Sequence, residues 1–345
     1  MPPPSERGIS QGIETLGSIS EYRYYPQDDV LDALRILGMQ PEQEHVSGLY
    51  LHKNKETAIA VVEAPESMGE GHFGIIRGVD YLRLMDRTGK LRAHFAGDVQ
   101  EGYAPHFVRA MGVSFGNLVT PPQTLNVVAQ RRSKDYAPYE VYAAVYSGTK
   151  IIASAEMLDS SVHSQRIMQM GYDPVIVNAR QNGKLLEEPV REALGQFGYG
   201  ENMMVLNSYL QRDYDALNFP IGGMKVTREN GEAFEFTTIE GFAQLLAFHL
   251  ARSGYIVPGM VPTFGGVAYV KINAASTYPS EVRLFMKDIV ADEKTFSGIG
   301  MAILHNDIFA EAKISGRAVA KTTLEGLIAR RRRDQANEFP LFPKQ

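Results

Sequence analysis

The 345-residue chain contains no cysteine, so disulfides, thiolate nucleophiles and thiolate metal sites are excluded. Its eight histidines never fall into a His-Glu-x-x-His or comparable ligand set, so no metal is expected. No glycine-rich phosphate loop and no Gly-x-Ser-x-Gly elbow occurs. Kinase, dehydrogenase and serine-hydrolase chemistries therefore lack their parts. No apolar run approaches 18 residues, and Met1 to Arg7 lack the charged-then-apolar layout of a signal peptide. A cytoplasmic protein with no membrane association is expected. A formal net charge of -5 gives no overall attraction to nucleic acid, and none is expected as a partner.

What is present begins with ordinary globular composition, 44% hydrophobic and 22% charged, over a length sufficient for two domains or one domain duplicated. A short helix is predicted over Asp28 to Leu37 and an extended segment over Leu49 to Val62. The stretch Glu70-Gly71-His72-Phe73-Gly74-Ile75-Ile76-Arg77-Gly78 then reads as a tight glycine turn carrying a histidine. A helix follows from about Gly78 to Arg87, with Thr88-Gly89 as its stop. Four strands are expected over 106–115, 124–131, 139–146 and 150–157, with Ser147-Gly148 as a hairpin turn.

The same order of one helix and four strands recurs: a helix over Ile239 to Ala251, then strands over 264–272, 281–290, 295–304 and 308–314. A constant offset of 157 relates the two sets. Thr120-Pro121-Pro122-Gln123-Thr124-Leu125 lies over Thr277-Tyr278-Pro279-Ser280-Glu281-Val282, and Ile151-Ile152-Ala153-Ser154-Ala155 over Ile308-Phe309-Ala310-Glu311-Ala312. Phe107 over Phe264 and Val113 over Val270 agree. Unrelated meanders would not share one offset, so the chain reads as an internal duplication. Carried back, the offset places Glu240 over Arg83, Gln244 over Arg87 and Glu229 over His72. Each half thus holds one member of an acid–base pair: His72 in the first, Glu240 in the second.

At these residues the sequence resembles the hotdog-fold 3-hydroxyacyl-thioester dehydratases, which show Gly-His-Phe, a glycine at a helix start and an acidic residue further along a helix. Gly71-His72-Phe73, Gly78 and Glu240-Gly241-Phe242-Ala243-Gln244 match those parts. The resemblance implies an α+β double hotdog, two antiparallel sheets each wrapped around a buried helix as a pseudo-dimer, with one composite site between the hotdogs. It implies His72 as base, Glu240 as acid and the Gly78 amide as oxyanion donor, with Phe73, Val79 and Gln244 against the substrate. No cofactor is implied; the acyl group arrives on acyl carrier protein or coenzyme A, and a homodimer of such chains is allowed. The family's usual Gly-His-Phe-Pro is here Gly71-His72-Phe73-Gly74, and the loop to Gly78 is about three residues shorter. Arg83, in place of an acid, implies that the second site is dead or remodelled for binding.

The expected organisation is a leader over 1–20, an N-terminal hotdog over 21–160, a linker over 161–205, a C-terminal hotdog over 206–320, and a helix and tail over 321–345. Dehydration of a 3-hydroxyacyl thioester, or the reverse hydration, needs a base for the proton beside the carbonyl and an acid for the departing hydroxide. Histidine, unperturbed near pKa ~6.5, is a natural base. A glutamate on a helix apolar nearly all round is disfavoured as the anion by burial and so keeps a proton to give. Donors at a helix start suit the developing oxyanion.

Plainer readings stand beside these. His72 can be a structural turn residue, Glu240 can reach solvent at a packing edge, and Gln244 can either hold Glu240 or cap a strand. His249 reads as a satisfied core histidine, and His94 and His106 as solvated. The Arg330-Arg331-Arg332-Arg333 run either docks an acidic carrier or is the solvated end of a helix. Isomerisation of an enoyl thioester, thioester hydrolysis and acyl binding without turnover remain alternative uses of the same site.

Overall fold

A computed structural model describes residues 16–39, 45–132, 139–163, 172–173, 184–211, 220–225, 234–272, 278–279, 281–304, 307–336 and 338–344. Two compact units make up the chain. The first comprises Met1–Gly69, Ile75–Gln169 and Arg330–Gln345, and the second comprises Glu70–Gly74 with Met170–Ala329.

The first unit contains β1 (Tyr22–Pro26), α1 (Gln27–Ile36), β2 (Val46–His52), β3 (Thr57–Ala64), α2 (Gly78–Ala96), β4 (Tyr103–Phe115), β5 (Gln123–Arg131), β6 (Glu140–Ser147) and β7 (Lys150–His163). Its strands lie in the order β1-β2-β3-β5-β6-β7-β4, antiparallel throughout. Helix α2 packs across β2 to β7. The expected extended run over 49–62 is a hairpin, turned at Lys55, whose backbone is left-handed and whose amide reaches the His52 carbonyl. Helix α2 also outruns its expected stop. Thr88 bonds its hydroxyl back to the Leu84 carbonyl at 2.8 Å, and Gly89 lets Val141 approach, so neither residue ends the helix. The end comes at Gly97, φ 81°, a conformation glycine adopts without steric cost.

The second unit carries β8 (Tyr172–Asp173), β9 (Lys184–Leu186), α3 (Glu188–Gln196), β10 (Leu206–Gln211), β11 (Ile221–Lys225), α4 (Phe234–Arg252), β12 (Met260–Ile272), β13 (Tyr278–Pro279), β14 (Glu281–Ala291), β15 (Thr295–Leu304) and β16 (Asp307–Ala320). The order β9-β10-β11-β14-β15-β16-β12 repeats that of the first unit, again antiparallel, while β8 and β13 form a separate parallel pair. Helix α4 packs against β10, β11, β12, β14, β15 and β16 and is buried over nearly its whole length. A last helix, α5, spans Lys321–Gln335.

The duplication is visible in the bounds. Strands β4 and β12, and likewise β7 and β16, start and end 157 residues apart. Helices α2 and α4 start at 78 and 234 and end at 96 and 252, an offset of 156, because the connection after α4 is one residue longer. Glu240 therefore lies over Leu84, not Arg83, and Gln244 over Thr88, not Arg87. The repeat also extends upstream: β1-α1-β2-β3 recurs as β9-α3-β10-β11. The expected linker over 161–205 is thus, from residue 184 on, a strand and helix of the second unit. Glu229, set over His72 by the sequence, lies outside the described residues.

Candidate active site

The segment bearing the histidine is an unusual piece of backbone. Gly71, Phe73 and Gly74 have φ of 74°, 53° and 73°. Two glycines meet this at little cost, but a phenylalanine does not; a bulky left-handed residue costs about 1–2 kcal/mol and must be held by its surroundings. The holding element is residues 198–200. His72 forms an antiparallel bridge with Tyr199, and the Gly200 amide donates to the Gly71 carbonyl at 2.8 Å. A Cβ added to Gly71 would stand 2.9 Å from the Gly200 nitrogen, so the two backbones meet only because both residues lack side chains. Across this bridge the His72 and Tyr199 rings lie 5.3 Å apart, centroid to centroid. Tyr199 is buried and His72 half-buried.

The carboxylate belongs to the same unit. Glu240 sits two turns into α4 and is only 7% exposed, which removes the reading of an edge glutamate in solvent. Gln244, one turn on and fully buried, uses its whole hydrogen-bonding capacity. Its Oε1 accepts from the amides of Val205 and Leu206, each at 3.0 Å, and its Nε2 donates to the Met203 carbonyl at 2.7 Å and to Glu240 Oε1 at 3.3 Å. Both sequence readings of Gln244 are thus realised, since it holds Glu240 and also secures the start of β10. The Met203 sulfur in turn lies 3.3 Å from where a Cβ on Gly71 would be. The segment 198–206 therefore touches the histidine turn with one end and the partner of the carboxylate with the other. Sequence reasoning missed it. Its one signal was Phe197-Gly198-Tyr199-Gly200, an aromatic between two glycines, like the histidine turn itself.

Phe73 packs its ring on Gly198, with the Lys321 ammonium 5.7 Å from the ring centroid on α5's first residue. Gly78 and Val79 open α2 in the first unit. Gly78 has Phe115 against it, a Cβ there standing 2.8 Å from the ring. The Arg77 side chain does not cap the start of α2; it forms a two-pronged pair with Asp80, both contacts 2.9 Å.

The remaining candidates sort differently from expectation. His249 is half-buried and shares a 3.2 Å hydrogen bond with the Tyr209 hydroxyl, as a satisfied core histidine should. His106 is buried in β4 and His94 half-buried near the end of α2, where burial pushes its pKa down; neither is the solvated residue expected, because α2 and β4 run further than the sequence indicated. In the arginine run, Arg331 is buried against Glu338, Ser147 and the Leu118 carbonyl, so it is structural and unavailable for docking; Arg330, Arg332 and Arg333 are exposed. Among the described residues no cluster of three or more His, Asp or Glu side chains is arranged to hold a metal ion. None of the described helices is long and apolar enough to cross a membrane.

Two seven-stranded antiparallel sheets in one chain, each laid on a long buried helix, define the double-hotdog fold. Neither a protein-family model nor a curated protein matches the sequence. Solved structures do match. A dehydratase domain from the CurJ module of curacin polyketide synthase superposes with a TM-score of 0.55 at 9% identity, covering 81% of this chain and 97% of that one. The dehydratase domain of RzxB from Pseudomonas fluorescens gives 0.52 at 10% identity, over 75% and 94%. An isomerase-inactive variant of GphF DH1 gives 0.53 at 10% identity, over 81% and 98%. At such identities the likeness establishes the fold.

Proposed function

We propose that this protein dehydrates a 3-hydroxyacyl thioester to the enoyl thioester, or runs the reverse hydration, with the acyl group on acyl carrier protein or coenzyme A. His72 takes the proton beside the carbonyl, Glu240 protonates the departing hydroxyl, and the Gly78 amide serves the enolate oxygen. Phe73 and Val79 line the substrate, while Gln244, its amide fully engaged, holds Glu240. The observation that carries this reading is that a histidine in a strained turn and a buried glutamate share one compact unit, bound into it by the single segment 198–206. Proton removal and hydroxyl protonation are worth about 10²–10⁴-fold each when supplied by positioned side chains. The reaction requires no electron transfer and no metal. A fold shared with dehydratase domains, one of them from a polyketide synthase, supports the reading.

Isomerisation of an enoyl thioester is the second reading, supported by the fold shared with a protein of which a variant is described as isomerase-inactive. Removing one proton and returning it elsewhere uses the same pair. The test is mass spectrometry with a panel of 3-hydroxyacyl thioesters on coenzyme A and carrier protein, run beside His72→Ala and Glu240→Gln. Loss of one water, reduced by at least about 10²-fold in each variant, is expected. A moved double bond without loss of water assigns the isomerase. Free acid assigns a thioesterase, and tight binding with no product assigns an acyl-binding protein.

A further inference from the structure

We infer that Gly198 is a positioning residue for the His72 imidazole, acting through the ring of Phe73. The inference rests on the reading of His72 as the base. Residues 71–73 face 200–198 rung by rung: Gly71 opposite Gly200, His72 opposite Tyr199, Phe73 opposite Gly198. The two outer rungs have different tasks. The Gly71 and Gly200 pair brings the backbones together, whereas at the other rung the Phe73 ring fills the space where Gly198 has no side chain. A Cβ on Gly198 would stand 2.4 Å from Phe73 Cε2, 2.5 Å from Cζ and 2.7 Å from Cδ2. Those are rigid ring atoms, and the Lys321 ammonium lies against the same ring. Ring and backbone must shift together. Phe73 has φ 53°, outside the conformation its side chain favours, so whatever dislodges the ring also releases that backbone to relax. His72 is the adjacent residue, and its imidazole moves with it. A displacement of about 1 Å at a catalytic group is enough to cost on the order of 10²-fold in rate.

The experiment uses the full-length protein. Gly198→Ala is expected to lower kcat by about 10–100-fold. Gly198 also has φ 86°, so alanine there strains the backbone whatever the space. Gly254, φ 79° with open space around its Cβ position, supplies the control: Gly254→Ala introduces the same kind of strain without the collision. Phe73→Ala, which removes the ring and leaves Gly198 in place, is expected to release the same backbone and to lower kcat as well. The same variants are read by NMR titration of the His72 ring, which does not depend on turnover. Gly198→Ala and Phe73→Ala are each expected to shift its resonances, and Gly254→Ala to leave them in place. Unaltered His72 resonances in folded Gly198→Ala protein overturn the inference, as does a shift of equal size in Gly254→Ala. A wild-type protein without activity on any thioester refutes the reading of the base and leaves the NMR result to decide the positioning.

Discussion

Gln244 is the residue whose removal separates two effects. Gln244→Leu keeps the volume but leaves the Val205 and Leu206 amides and the Met203 carbonyl without the partner they have now, the last two in a buried place. Each buried polar group left unsatisfied costs about 1–3 kcal/mol. Chemical denaturation should show a loss of several kcal/mol, and the surviving folded protein should show lower kcat, since Glu240 loses its helix neighbour. Gln244→Leu with full activity and unchanged stability would mean that the four hydrogen bonds are incidental. Glu338 offers a pH test. Burial alone would raise its pKa, but hydrogen bonds from Arg331, Lys150 and Ser147 outweigh burial and hold it down to about 2, against an ordinary 4.5. A depressed folded pKa contributes stability above about pH 4.5 that is lost as pH falls towards 2. Glu338→Gln should therefore be less stable than wild type by about 1–3 kcal/mol at pH 7, with the gap narrower at pH 3. Urea midpoints at the two pH values measure it. A gap as wide at pH 3 as at pH 7 would rule out the ionised carboxylate as its source.

At the scale of elements, the two central helices show what duplication kept and what it let go. Helix α4 is largely apolar and buries Glu240 together with Glu235 and Gln244. Helix α2 has Leu84 in the position of Glu240 and instead buries the Lys90–Asp86 pair, 2.8 Å, and Arg92, bonded to Asp98 and the Lys55 carbonyl. The one-residue shift in register has a consequence for mutagenesis. Leu84 is 5% exposed and Arg83 only half-buried, so Leu84→Glu should cost about 3 kcal/mol or more and Arg83→Glu about 1. Thermal melts compare them, and the opposite order would restore the 157 register to the helices. The long strands and both central helices were legible because a repeated order at fixed spacing is a stronger signal than any propensity. Helix α3 was not, since it buries only Val190 and Leu194, too few to set a periodicity. Its invisibility hid Tyr199, which follows directly from it. His72, Glu240 and Gln244 could be named from types and spacing, but the segment joining them depends on backbone approach, which sequence periodicity does not encode.

For the molecule as a whole, the last residues of the chain are part of the core of the first unit. Phe342 is 5% exposed and lies edge-on to Tyr22 and Tyr50, with centroids 5.1 and 5.2 Å away. Asn126 holds its backbone from both sides, donating to the Phe342 carbonyl at 2.8 Å and accepting from its amide at 3.1 Å, and the Tyr50 hydroxyl donates to the Pro343 carbonyl at 2.7 Å. These contacts seat the tail on one face of β1, β2, β3, β5 and β6, in a cluster with Ile59, Val61, Val128 and Tyr146. Nothing in the sequence marked the tail for this, because an aromatic between Leu341 and Pro343 has no periodic context and Asn126 sits in an apolar strand where its partner is 216 residues away. Deleting a buried phenylalanine side chain costs about 3–5 kcal/mol when the site cannot collapse, and here it also uncovers two tyrosines. Phe342→Ala is therefore expected to lower the melting temperature by several degrees while leaving His72 and Glu240, in the other unit, with their contacts. Asn126→Ala should lose a similar fraction, and the double variant less than the sum, since both act by seating the same segment. Strict additivity in the melts would mean that Phe342 and Asn126 stabilise the unit independently and that the tail is not held as one piece.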